Sequence, residues 1–430
     1  MNTILIIILA AYAVVMAFDF LMDYLNYKHL KAFGHMIPEE FKGRIDAEQL
    51  KKTSDYTVDK MRFGFICTVF DEALILILIF SGLLESYSSW MNGLGLNFML
   101  SGIAFFLPLI FIKTFLEIPF SLYSTFKIEN KYGFNKMTIK LWLSDLLKSL
   151  IISAVILSIL IAAAFAIIAA SPAFWWFWVW LLFFLFSIFM MYLSPYVIEP
   201  LFNKYTQIDD ESLVSDISSL MQKAGLKISK VQKMDASKRT KHSNAYFTGI
   251  GHVKRIVLFD TLLQQMEKSE ILAVLAHEAG HWKRKHVLKL LFIVETGALI
   301  SSYIAFLLLN SDILCRIFHI SCDSFSAKII LLGFITSIAT YPIAPIFNFI
   351  SRKFEWEADR FACDLTSGNE GLVSALIKLS AENLSNLHPH HLYSKFHYSH
   401  PPVTERIRYL KEMHIQRGIS NIQSPFKFQT

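Results

Sequence analysis

Charge is what this chain has least of. Only 18% of its 430 residues are Asp, Glu, Lys or Arg, whereas 54% are hydrophobic and 38 are phenylalanine. A soluble protein of two or three domains, which the length alone would suggest, is excluded; the composition is that of a polytopic membrane protein. Cysteine is scarce too, and Cys67, Cys315, Cys322 and Cys363 form no C-x-x-C pair, so a cysteine-built zinc site is not expected. No basic strand interleaved with aromatics is found. The net charge of +6 therefore does not signal nucleic acid, because the basic residues flank apolar runs, where membrane topology accounts for them. Residues 1–20 lack a basic leader and an A-x-A cleavage site, so the first apolar run is expected to stay as a span. Residues 424–430 carry no lipidation or retrieval signal.

Seven apolar runs are long enough to cross about 30 Å of hydrocarbon: 3–21, 63–84, 98–122, 149–171, 174–194, 287–309 and 328–350. The fifth opens with Trp175, Trp176, Trp178 and Trp180, an interfacial aromatic belt. The 22–62 loop holds eight Lys/Arg and the 85–97 loop none; the 123–148 loop carries five lysines and the 172–173 connection no charge. With an outside N-terminus, this alternation places 22–62, 123–148, 195–286 and 351–430 on the cytoplasmic side.

Ala276-His277-Glu278-Ala279-Gly280-His281 is an H-E-x-x-H motif within a helix-forming run from Glu270 to His286. Four residues of helix turn through about 400°, so His277 and His281 share one face and can grip one Zn²⁺. Glu278 lies about 100° round, within reach of a water, as a general base must be. The alternative is a surface helix with two solvated histidines, but Ile271, Leu272, Val274 and Leu275 make the helix a packed one.

A third ligand is needed. The positions where an extended H-E-x-x-H-x-x-G-x-x-H pattern would place Gly and His hold Arg284 and Val287, and His286 would lie about 140° off the face of His281. If the sixth and seventh spans are antiparallel neighbours, residues 351–366 emerge beside the motif. There lies Phe354-Glu355-Trp356-Glu357-Ala358-Asp359, in which Glu355 and Asp359 at i, i+4 give a ligand and a carboxylate able to hold an imidazole N–H. Glu357 projects elsewhere and is expected to be solvated or salt-bridged.

Residues 209–224 read as an amphipathic helix, and 229–234, 244–249 and 255–259 as strands, the second ended by Gly249. A strand beside a metalloprotease helix can take an extended peptide by β-augmentation, with Asn244 holding its main chain; an ordinary hairpin strand is the plainer alternative. His400, before Pro401-Pro402, is a candidate oxyanion donor, and Glu405-Arg406 could open a capped helix behind it. His388, His390 and His391 are expected to be a solvated loop cluster. Asp71, Glu72, Lys113, Glu117 and Glu295 lie within spans and should face a water-containing interior or one another. Cys315 and Cys322 share the outer loop, where a disulfide is open to them if that side is oxidising.

With Lys131-Tyr132-Gly133-Phe134-Asn135-Lys136, Pro200-Leu201-Phe202-Asn203-Lys204, residues 244–249 and 255–261, the H-E-x-x-H, residues 354–359 and His397-Tyr398-Ser399-His400-Pro401-Pro402 in this order, the chain resembles the type I CaaX prenyl protease family over nearly its whole length. These are integral-membrane gluzincin zinc metalloproteases. The resemblance implies a mainly α polytopic protein, seven membrane helices forming a chambered α-barrel, with a cytoplasmic-side protease domain carrying a small β-sheet. It implies one Zn²⁺ per chain held by His277, His281 and Glu355, Glu278 as general base, Asn244 and Ala245 as substrate-strand contacts, and His400 as transition-state stabiliser. The chain departs from the family in Trp356-Glu357, where relatives often have an aromatic residue and glutamine. The implied partner is a peptide or protein substrate, prenylated at a C-terminal CaaX sequence or otherwise membrane-associated, acted on by a monomer in the endoplasmic reticulum membrane or a bacterial inner membrane. The expected organisation is 1–194 for spans one to five, 195–286 for a protease segment with the substrate strand and H-E-x-x-H helix, 287–350 for spans six and seven, and 351–430 for a second protease segment. An HtpX-like quality-control protease would have fewer spans and no His-Tyr-Ser-His-Pro-Pro ending. A transporter or channel with structural zinc would want a fourth protein ligand and inverted repeats, neither of which is seen.

Overall fold

The structure, a computed structural model, describes residues 3–248 and 253–423. The membrane half comprises α1 (Thr3–Phe33), α2 (Ala47–Phe80), α3 (Leu83–Gly93), α4 (Phe98–Tyr123), α5 (Ile139–Ala170) and α6 (Trp175–Leu193). After a short α7 (Glu199–Phe202) and strand β1 (Tyr205–Gln207) come α8 (Glu211–Lys223), β2 (Lys227–Met234), β3 (Ala245–Thr248) and β4 (Val253–Phe259). The chain continues through α9 (Asp260–Gln265), α10 (Lys268–Lys283), α11 (His286–Leu309), α12 (Ile313–Phe318), α13 (Phe325–Thr340) and α14 (Ala344–Thr366). It closes with α15 (Glu370–Glu382), α16 (His391–His397) and α17 (Val403–Gln423).

All seven expected spans are present as helices long and apolar enough to cross a membrane. Several overshoot the apolar run. α1 continues to Phe33, and α2 begins at Ala47, where the Asp46 side chain caps the first turn. Length in a helix is set by backbone pairing and caps, whereas an apolar run marks only the part that meets lipid. The seventh span breaks into α13 and α14 at a 3₁₀ turn over Tyr341–Ile343, where Pro342 and Pro345 remove backbone donors.

Packing is concentrated at the two ends. Opposite the basic loops, α3 and α12 close the bundle with a cluster that includes Leu84, Met91, Phe105, Trp175, Leu314 and Leu331. At the basic end, the protease layer forms the largest core, around Ile217, Ile256, Leu258, Leu275, Ala276 and Leu410. Between them, no more than 11% of the most apolar window of any span is buried, so most of the surface of the spans is left to lipid or to the interior of the bundle. Charges sit at that depth. Lys113 Nζ lies 3.0 Å from Glu117 and 3.6 Å from Asp71, all three about half-exposed, and Tyr12 donates to Glu72 at 2.7 Å. Such groups are too costly to face lipid and belong to a watered interior.

The sheet has the order β1-β2-β4-β3, with β2 and β4 parallel and both outer pairs antiparallel. β3 is therefore an edge strand, paired on one side only, from Ala245 opposite Leu258 to Thr248 opposite Arg255. The sequence reading missed β1, which is only three residues long, and the strand-ending Gly249 lies outside the described residues. Cys315 and Cys322 stand as free thiols, so the disulfide open to them on sequence grounds is not formed in this structure.

Candidate active site

The site is built where α10 crosses α14. α10 starts on a capping box in which Glu267 and Glu270 satisfy each other's backbone N–H groups. Buried Glu270 is also held by Lys378 at 2.8 Å and Ser374 at 2.6 Å on α15, which fixes the helix against its neighbour. Gly280 and Ala358 form the crossing point: a Cβ on Gly280 would stand 3.0 Å from Ala358 Cα. Only with a small residue on each helix do the backbones come close enough for short side chains to meet.

At that crossing His277 and His281 face Glu355. The two Nε2 atoms are 3.2 Å apart; His277 Nε2 is 3.5 Å from one Glu355 oxygen and His281 Nε2 is 3.3 Å from the other. One ligand atom from each residue falls within a 4.8 Å cluster. Glu355 is buried, and its Oε2 lies 2.9 Å from His400 Nδ1 and 3.5 Å from Arg406 Nη1. A buried carboxylate facing the Nε2 atoms of two histidines is a donor set that suits a divalent cation, and two His plus one Glu is a common zinc set with a coordination position left open. The residues fit the metal.

Asp359 is fully buried and lies 2.8 Å from His277 Nδ1, as expected for a carboxylate one turn beyond Glu355. Burial alone would lower the His277 pKa, but hydrogen bonds with Asp359 and Glu355 outweigh it and raise the value to about 9. Glu278 is half-buried on the same helix. His400 reaches the site from the segment before α17, with its side chain 63% exposed. Asn244 lies at the start of β3, exposed, its side chain accepting from the Ala245 N–H at 2.8 Å, while Ala245 is buried beside α10 in the protease core.

Two supporting residues were not assigned this part from sequence. Arg406 donates twice to Asp359, at 2.6 and 2.9 Å, and so holds from behind the carboxylate that holds His277. His286 was expected about 140° off the His281 face at the end of one continuous helix. The helix in fact stops at Lys283, Lys285 adopts φ 58°, and His286 begins α11. That break turns its ring back to within 3.2 Å of His281 Nδ1, stacked on Phe354 and anchored by Glu357 at 3.1 Å. Glu357 is thus salt-bridged, one of its two expected states. Of the trio expected to be solvated, His391 is exposed, whereas His388 hydrogen-bonds Met36 O at 2.6 Å and the His390 N–H donates to Asn26 on α1.

Comparison with known proteins gives the family. Residues 26–204 match the family model described as CAAX prenyl protease N-terminal, five membrane helices, and residues 207–414 match peptidase family M48. The chain is 35% identical to the CAAX prenyl protease 1 homolog of Arabidopsis thaliana, covering 90% of this chain and 93% of that protein. It is 32% identical to CAAX prenyl protease 1 of Saccharomyces cerevisiae, over 90% and 91% respectively. The crystal structure of S. mikatae Ste24p superposes with a TM-score of 0.87 at 30% identity, covering 95% of this chain and 99% of that one. Two helices crossing on a glycine, with a zinc-type donor set between them at one end of a seven-span chamber, make this chain a member of peptidase family M48, an integral-membrane zinc metalloprotease of the CAAX prenyl protease 1 kind.

Proposed function

We propose that this protein is an endopeptidase that cleaves near the C-terminus of CaaX-type, prenylated or other membrane-associated peptides, with one Zn²⁺ per chain held by His277, His281 and Glu355. The observation that carries the reading is the buried Glu355 carboxylate with one oxygen toward His277 and the other toward His281. When bound, the ion supplies Lewis acidity and lowers the pKa of water to about 7. Glu278 takes the proton from the attacking water and returns it to the leaving amine. His400 donates to the oxyanion that develops on the scissile carbonyl; its exposure lets it move onto substrate. Asn244 and Ala245 align the peptide along the free edge of β3. Asp359 holds the tautomer and orientation of His277.

The spans and protease layer are read as four units, 1–194, 195–286, 287–350 and 351–430. The distribution of basic loops supports a site on the cytoplasmic side; the membrane is read as that of the endoplasmic reticulum or a bacterial inner membrane, and the protein as a monomer. Seven spans and the five-helix family match over 26–204 favour this reading over an HtpX-like protease with fewer spans, or a transporter. Glu278→Gln is expected to keep zinc by metal analysis and abolish peptide cleavage; loss of zinc with activity would contradict its role. Mass spectrometry of products from farnesylated and unmodified versions of one CaaX peptide tests the substrate class. Preferential cleavage of the farnesylated form is expected, and equal cleavage would set prenyl recognition aside.

A further inference from the structure

Away from the zinc-type site, a cavity of about 640 Å³ opens between α2 and α4 at the basic end of the spans. Its floor is apolar and aromatic, with Phe63, Phe120 and Tyr123, and its mouth carries Arg62, Lys127 and Lys131. Lys131 is neutralised by Asp59 at 2.6 Å. Arg62 donates to the Tyr27 hydroxyl at 3.2 Å, lies over the Tyr27 ring and is drawn to the Asp59 carboxylate, while Lys127 has no carboxylate within salt-bridge distance among the described residues. Three cations and one carboxylate line the pocket, so its mouth keeps an excess of positive charge over an apolar floor at the basic end of the spans. Tyr123, 51% exposed, is one of the aromatic residues there.

The backbone is shaped for the pocket. α4 contains Pro119 and runs straight into a π-helical turn over Ser124–Glu129, which carries Lys127 on the pocket side. Such turns cost regular pairing and recur at functional positions. The opposite face of α2, through Tyr56, Lys60 and Gly64, lines a separate cavity beside Asn244. The α2–α4 pocket is therefore distinct from the cleft that reaches the substrate strand.

We propose that this pocket binds one anionic phospholipid, its phosphate between Arg62 and Lys127 and its upper acyl chain on Phe63 and Phe120. Basic pockets between spans on the side rich in Lys and Arg select anionic headgroups. A zwitterionic lipid brings its own cation to the mouth and gains little there. A prenylated peptide would bring its own C-terminal carboxylate, so displacement by such a peptide is the outcome that separates the two occupants.

The test is native mass spectrometry of the purified full-length protein titrated with phosphatidylglycerol or phosphatidylcholine of identical chains. One phosphatidylglycerol should be retained in preference to phosphatidylcholine. Each basic residue is worth about fivefold, so Arg62→Gln with Lys127→Gln should weaken retention roughly 25-fold. Arg62→Lys with Lys127→Arg keeps the charge and should keep the lipid, which guards against a misfolded glutamine variant. Lys51→Gln with Lys52→Gln, exposed residues about three turns away on α2, should change nothing. Equal retention of the two lipids, equal loss in the Lys51/Lys52 control, or one-for-one displacement by a farnesylated peptide would overturn the assignment.

Discussion

The protease layer and the membrane chamber both hold charges away from bulk water, and they treat them in opposite ways. At the site, Glu355, Asp359 and Arg406 have side chains no more than 11% exposed, and each faces a named opposite charge or imidazole. In the chamber, Asp71, Lys113 and Glu117 are about half-exposed and loosely paired. Buried charges demand partners at fixed geometry because desolvation is costly, and one missing partner strands the rest. Charges lining a watered space are screened and tolerate change. Precision at the site is thus a consequence of burial, and the chamber can be polar without being rigid.

Substitutions should reproduce this contrast. The largest effect is expected at Glu355→Ala, which should remove bound zinc by metal analysis and lower peptide cleavage at least 1,000-fold, an order taken from the loss of one essential catalytic element. Arg406→Met should come next. It leaves Asp359 buried and unpaired, costing about 3–5 kcal/mol, read as a fall in thermal midpoint, and weakening zinc about 10–100-fold through His277. Gly280→Ala pushes a Cβ onto Ala358 and should cost about 1–3 kcal/mol by the same thermal measurement. Lys113→Met, although it removes a charge from the middle of a span, should shift stability by less than about 1 kcal/mol. An effect as large as that of Arg406→Met would show the chamber to be packed and dry.

The metal-free protein offers a sharper version. His277 is raised from its ordinary 6.5 to about 9, so its contribution to stability is fully present below pH 6.5 and is lost as pH rises through 9. The chelated protein should therefore weaken from pH 6.5 to 9, with the denaturation midpoint falling. Zinc affinity should move the other way over the same window, because binding displaces that proton. Parallel trends would mean that His277 does not meet the metal.

Much of this was readable from the chain. The spans are long apolar runs whose signal is strong, and His277, His281, Glu355 and Asp359 sit at helical spacings that put pairs on one face. What escaped depended on tertiary placement. The break at Lys285 needs a positive φ in a residue that does not advertise one, so His286 looked misdirected when in fact it steadies His281. Arg406 meets Asp359 across 47 residues, a pairing no local pattern encodes. His388 and His390 looked polar and loose because the groups that receive them, Met36 O just after α1 and Asn26 on α1, lie more than 350 residues earlier in the chain.

The central claim is that α10 and α14 share one ion. Anomalous diffraction at the zinc edge from crystals of the zinc-loaded protein tests it most directly. The account predicts one strong peak bounded by His277, His281 and Glu355, at about 2.0–2.2 Å from each ligand atom. A peak that excludes Glu355, or that lies among other residues, would contradict it.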